Sequence, residues 1–168
     1  MRKPRLRGSL FRLTIVSALA LGMAATVTAA DSKKLSTDLL GGNEVPAADP
    51  DGRGKATVRI DMEAGVLCFD VSFDRAGTAN RGHIHRGAAG VNGPIVVPFF
   101  DIHLVPDNQR DPRHEALEAK SRLSDCVEVA PTLLAEIQAN PSGFYVNLHN
   151  ARFPGGMVRG QLSIAGGD

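Results

Sequence analysis

The sequence predicts an all-β fold, an antiparallel Greek-key β-sandwich or barrel with one short helix. Three observations carry this. Several short stretches alternate with period two, turn-forming residues separate them at short intervals, and a single segment has helical spacing.

The elements follow in chain order. "KATVRIDM" at 55–62 and "VLCFDVSF" at 66–73 place alternate side chains on opposite faces, as half-buried antiparallel strands require. They are joined by "EAG" at 63–65, where Gly65 is free to take positive φ, so the pair predicts a hairpin. "PIVVPFF" at 94–100 is apolar on both faces and predicts a well-covered strand, whose two prolines place it near an edge or a bend. "FYVNLHN" at 144–150 alternates again, and "GMVRGQLSI" at 156–164 predicts the last strand. Between strands lie "PAADPDGRG" at 46–54, "GAAGVNGP" at 87–94 and "ARFPGG" at 151–156. Their Gly, Pro, Asn and Asp supply the dihedral angles that tight turns need, with Gly87, Gly90, Gly93, Gly155 and Gly156 reading as backbone devices.

Two segments break the pattern. "PDNQRDPRHEALEAKSRLSD" at 106–125 is charged and poor in large apolar residues, which predicts a long surface excursion with a helical turn around "HEALEAK". "PTLLAEIQAN" at 131–140 has Pro131 suited to a first helical turn and Leu133, Leu134 and Ile137 at helical spacing. It predicts a short amphipathic helix capping one end of the core.

The N-terminus reads as a leader. Arg2, Lys3, Arg5, Arg7 and Arg12 precede the apolar run "LTIVSALALGMAATV" at 13–27, and small residues follow in "TAADS". This is the pattern of a secretory signal peptide spanning 1–30, cleaved after Ala29 or Ala30, with a retained anchor as the alternative. No Cys stands directly after the apolar run, which argues against lipoprotein attachment. A single domain at 31–168 then remains, with no later transmembrane segment expected. The leader holds five basic and no acidic side chains, so its loss takes the balance from 19 basic and 18 acidic residues to 14 and 18, a net charge of −4. A mildly acidic chain without clustered Lys and Arg gives no case for nucleic acid, and none is expected as a partner. With no Trp and one Tyr, the core must rest on aliphatic side chains and Phe.

Cys68 and Cys126 are the only cysteines. Export favours a disulfide between them over two buried thiols, and leaves no thiolate for catalysis or for metal. No serine nucleophile in an elbow, phosphate-cradling loop or dinucleotide fingerprint is present.

Three blocks carry a family resemblance: "LLGGNEVPAADPDGRGKATVRID" at 39–61, "GHIHRGAAGVNGPIVVPFF" at 82–100 and "YVNLHNARFPGGMVRGQL" at 145–162. In order, they resemble the signature blocks of the CHRD (chordin) domain, over essentially the whole mature chain. The resemblance implies a secreted or periplasmic β-domain of the single-domain bacterial kind. The cysteine-rich modules through which chordin grips growth factors are missing here, so growth-factor binding is not implied.

The chemistry concentrates in the histidines. On one strand, His83 and His85 point to one face with about 6–7 Å between Cα atoms, close enough to share an ion. His149, at the end of another strand, is the best third ligand, while His103 and His114 lie in or beside the charged excursion. This predicts a mononuclear copper or zinc site, with copper preferred because it binds nitrogen donors more tightly. Glu44 and Asp101 are the expected outer carboxylates. Arg159 either binds a small anion near the histidines or forms a buried fork with Glu44, and Asn147 and Asn150 read as turn or ladder fixtures. The competing reading is structural, with each imidazole hydrogen-bonded to a carbonyl or carboxylate. The spacing is analogous to the His-x-His strand of superoxide dismutases, although the residues for a dinuclear site are missing. The strand pattern fits either a superoxide-dismutase-like or an immunoglobulin-like architecture.

The expected role is therefore a non-enzymatic exported binding module with a copper or zinc ion at His83, His85 and His149. The alternatives are a copper-dependent, dismutase-like redox enzyme, or a structural or adhesive domain with a protein or glycan partner.

Overall fold

The computed structural model of the chain describes residues 33–102 and 121–166. The predicted leader, His103, His114 and the helical turn expected around "HEALEAK" lie outside them.

Nine strands and one α-helix make up the described fold. The strands are β1 (Lys34–Leu40), β2 (Arg53–Asp61), β3 (Val66–Asp74), β4 (Arg81–Arg86), β5 (Ile95–Asp101), β6 (Arg122–Glu128), β7 (Phe144–His149), β8 (Val158–Gln161) and β9 (Ser163–Ile164). The helix α1 (Pro131–Ala139) precedes a 3-10 turn at Pro141–Gly143. All pairings are antiparallel, in the order β5-β4-β7-β8-β1-β2-β3-β6, with β9 also on β1. The late strand β8 lies beside the first of three hairpin-joined strands, which is the Greek-key relation. The end strands β5 and β6 approach each other, and stacking of Phe69 on Phe99, with ring centroids 4.2 Å apart, draws the sheet into a nearly closed barrel.

The core fills the interior. Alternate residues of β2 and β3, namely Ala56, Val58 and Ile60 with Leu67, Phe69, Val71 and Phe73, meet Ile84, Val146, Leu148 and Val158 from the other half. Leu134 and Ile137 of α1 close one end of it, as their spacing predicts. Cys68 and Cys126 are opposite each other in the β3–β6 ladder and form a disulfide. It closes a loop of 58 residues.

Three expectations are corrected, and one strand is added. The charged excursion does not reach residue 125, because β6 starts at Arg122. Only Leu123 on that strand is fully buried, with Val127 partly so, which leaves too little alternation to show against Arg122, Asp125 and Glu128. The strand expected over 156–164 is two short ones, broken at Leu162, whose side chain is buried. β1 went unpredicted, since only Leu35 and Leu39 of its seven residues are fully buried. Finally, β7 is not half-buried: every residue from Phe144 to His149 is buried, on both faces. Its outer face is covered by the protein's own loops.

Candidate metal centre

Register puts the polar residues of β4, β7 and β8 in one layer. Arg81 faces His149, His83 faces Asn147, and His85 faces Tyr145 across β4–β7. Tyr145 then faces Gln161, and Asn147 faces Arg159, across β7–β8. Because directly opposed residues share a face, this layer lies outside the barrel, opposite the core residues Ile84, Val146 and Leu148. Glycine-rich loops shield it from solvent, and His83, His85, Asn147, His149 and Arg159 are each less than a tenth exposed.

The three histidines converge. Ring centroids are 5.7 Å apart for His83 and His85, 5.1 Å for His83 and His149, and 6.4 Å for His85 and His149. One ring nitrogen from each lies within 4.8 Å of the others. Nitrogens sharing one ion at 2.0–2.1 Å are about 3.3–3.6 Å apart, so binding through all three would require the widest pair to close by about an ångström. His85 Nδ1 is 2.9 Å from the Gly93 carbonyl, and His149 Nδ1 is 3.1 Å from that of Pro154. Each carbonyl can only accept, so both Nδ1 atoms donate and each Nε2 carries a lone pair. These two Nε2 atoms, together with His83 Nδ1, are buried and have no hydrogen-bond partner.

The surroundings favour neutral imidazoles. Burial, with His149, His85 and Arg81 adding to it, pushes His83 down to about 4 against the opposing charge of Asp101. Burial likewise pushes His149 down to about 4, although its bond to the Pro154 carbonyl acts the other way. His85 is lowered by burial and by Arg159. A neutral imidazole is the form that ligates a metal.

Loops hold the rings in place. Tyr145 stacks on His85 with centroids 4.8 Å apart and planes 8° from parallel. The Tyr145 hydroxyl accepts the Gly93 N–H at 3.2 Å, and the Gly93 carbonyl takes His85 Nδ1, so ring, phenol and loop brace one another. Only glycine fits there, since a Cβ on residue 93 would sit 1.6 Å from the Arg86 carbonyl oxygen. Arg159 lies over Tyr145, its Cζ 4.5 Å from the ring centroid. Asn150 accepts the Phe153 N–H at 2.7 Å and fixes the loop that carries Pro154.

The outer residues are placed differently from expectation. Arg159 does not form a fork with Glu44: it donates to the Asn43 carbonyl at 2.7 Å, Asn92 Oδ1 at 2.9 Å and the Val91 carbonyl at 3.4 Å. Glu44 bonds no histidine either; its Oε2 accepts from Asn147 Nδ2 at 3.4 Å, while Oε1 is buried without a partner. Loop backbone supplied the nearer acceptors, and sequence patterns do not show where carbonyls point. Asp101 faces Arg81 across β4–β5 and acts on His83 and His149 through its charge. Sequence reasoning passed over Tyr145, Arg81, Asn92 and Gln161. The signal for Tyr145 was present, since it shares period-two phase with His149.

This fold, an antiparallel barrel with a loop-covered histidine face, defines a small disulfide-stapled β-domain. The CHRD domain profile matches residues 35–162, most of the chain, and the protein belongs to the CHRD domain family. No curated protein and no solved structure matches it.

Proposed function

We propose that this protein is an exported, non-enzymatic binding module that holds one transition-metal ion, copper in preference to zinc, through His83, His85 and His149. The carrying observation is the cluster of three buried imidazoles, each with a ring nitrogen lacking a hydrogen-bond partner. A purely structural role would normally satisfy such buried nitrogens, because each costs about 1–3 kcal/mol when left unpaired. The carbonyls of Gly93 and Pro154 act as the orienting outer partners of His85 and His149, with Asp101 contributing charge. Export is supported by the leader-like N-terminus, by the Cys68–Cys126 disulfide and by family membership. No helix among the described residues is long and apolar enough to cross a membrane.

The test is metal analysis and Cu(II) and Zn(II) titration of residues 31–168 beside a His83→Ala/His85→Ala variant checked for folding. Stoichiometric binding in the parent, lost in the folded variant, is expected. Equal binding by both would return the histidines to a structural role and direct the search to protein or glycan partners on the loops.

A further inference from the structure

A second concavity lies beside the histidine face. Residues 44–48, Asn92 and residues 152–156 line an open cavity of about 480 Å³. That is within the roughly 300–1,000 Å³ range of small-molecule pockets. Val45, Pro46, Ala47, Phe153 and Pro154 give it apolar walls.

Two charged groups line it. Glu44 is only 6% exposed, and its Oε1 has no donor among the described residues. Burial pushes its carboxyl up to about 7, against the charge of Arg159 and the bond from Asn147. Only glycine fits at position 156 beside this carboxyl, since a Cβ there would lie 2.6 Å from Oε2 and 2.7 Å from Oε1, and the residue has φ 144°. Arg152, exposed at the rim, has its Cζ 5.2 Å from the centroid of the Phe153 ring.

A ligand that brings a donor relieves the cost of the buried acceptor, and a guanidinium at the rim can pair with an anionic group of that ligand. A ligand carrying only an ammonium would meet Arg152 and the nearby Arg159; one carrying only a carboxylate would leave Glu44 uncompensated. We propose that the cavity binds a small zwitterion with an apolar body, of the α-amino acid class, its ammonium on Glu44 and its carboxylate on Arg152.

The test is NMR titration of ¹⁵N-labelled protein with L-leucine, isoamylamine and isovalerate, following the amides of residues 44–48 and 152–156. Saturable shifts with leucine are expected, with both single-charge analogues weaker. Glu44→Gln should weaken leucine by about tenfold or more. Arg152→Ala, a change at an exposed side chain that leaves the fold in place, should weaken leucine and tighten isoamylamine. The His83→Ala/His85→Ala variant should bind leucine as the parent does, so failure of the metal reading leaves this result intact. Absence of saturable shifts, or leucine affinity unchanged in the Arg152 variant, would overturn the proposal.

Discussion

The outer faces of the two halves of this barrel obey the same alternation and end in opposite conditions. On β2, β3 and β6 the outward residues stay in water: Asp70 takes Arg122 and Ser124, and Arg59 lies alongside in an exposed position. On β4, β7 and β8 the outward residues are as polar, yet buried under loops. A polar sheet face in water is a solvated surface, whereas the same face under a loop roof becomes a site with neutral imidazoles and partnerless nitrogens. The difference lies in the connections: β2 and β3 are joined by a tight hairpin, while the loops after β4 and β7 fold back over their strands.

Breaking the covalent link of the open half should have the largest effect. Replacing Cys68 and Cys126 by Ser removes a 58-residue loop constraint and should cost about 4 kcal/mol on chain-entropy grounds, read by chemical denaturation. Metal affinity of the folded fraction should be unchanged, because neither cysteine belongs to β4, to β7 or to the loops whose carbonyls hold His85 and His149. A loss of affinity would show that the halves are coupled.

Acid should break the covered half first. His83 and His149 sit at about 4 in the folded protein, below the ordinary value near 6.5 for an unfolded chain. Between those values the unfolded state binds more protons, so stability of the metal-free protein is full above about pH 6.5 and falls as pH drops toward 4. The loss should reach roughly 2 kcal/mol per imidazole at pH 5, measured by denaturant midpoints. Asp70 is lowered instead, by Arg122 and Ser124 against the effect of its own burial, so its contribution is lost only at still lower pH. A stability curve flat from pH 7 to 5 would contradict the burial of the histidines.

How much of this the sequence showed follows the same division. The open half was legible, because water on one side and core on the other give clean alternation in "KATVRIDM" and "VLCFDVSF". The covered half was legible in its chemistry, since His83, His85 and His149 converge, but its burial was not. Period two states that residues share a face and is silent on what lies over it. The partners of Arg159 and Glu44 were illegible for the same reason, being set by the carbonyls and amides of loops distant in sequence.

The loop roof itself can be loosened with one methyl group. Gly93→Ala puts a Cβ into the Arg86 carbonyl and must move the loop, at a cost of about 2 kcal/mol or more. It should also weaken metal binding, since the Gly93 carbonyl holds His85 Nδ1. Gly155→Ala is the control in the same roof: a Cβ there meets nothing within 4 Å, and both readings should stay at parent values.

The smallest effect belongs to the best-looking ion pair of the open half. Arg122 reaches Asp70 Oδ2 at 2.6 Å, and Ser124 shares that oxygen at 2.5 Å. Both side chains remain accessible, 62% for Arg122 and 31% for Asp70, so water competes for each and salt screens the pair. Asp70→Asn should therefore cost under about 1 kcal/mol, with the deficit shrinking further in high salt. A larger, salt-independent loss would mean that Asp70 anchors β6 against β3, and the open face would then be no mere solvated surface. The short distance alone does not favour that outcome, because solvent access weakens even a well-aligned ion pair, and access is what separates the two halves.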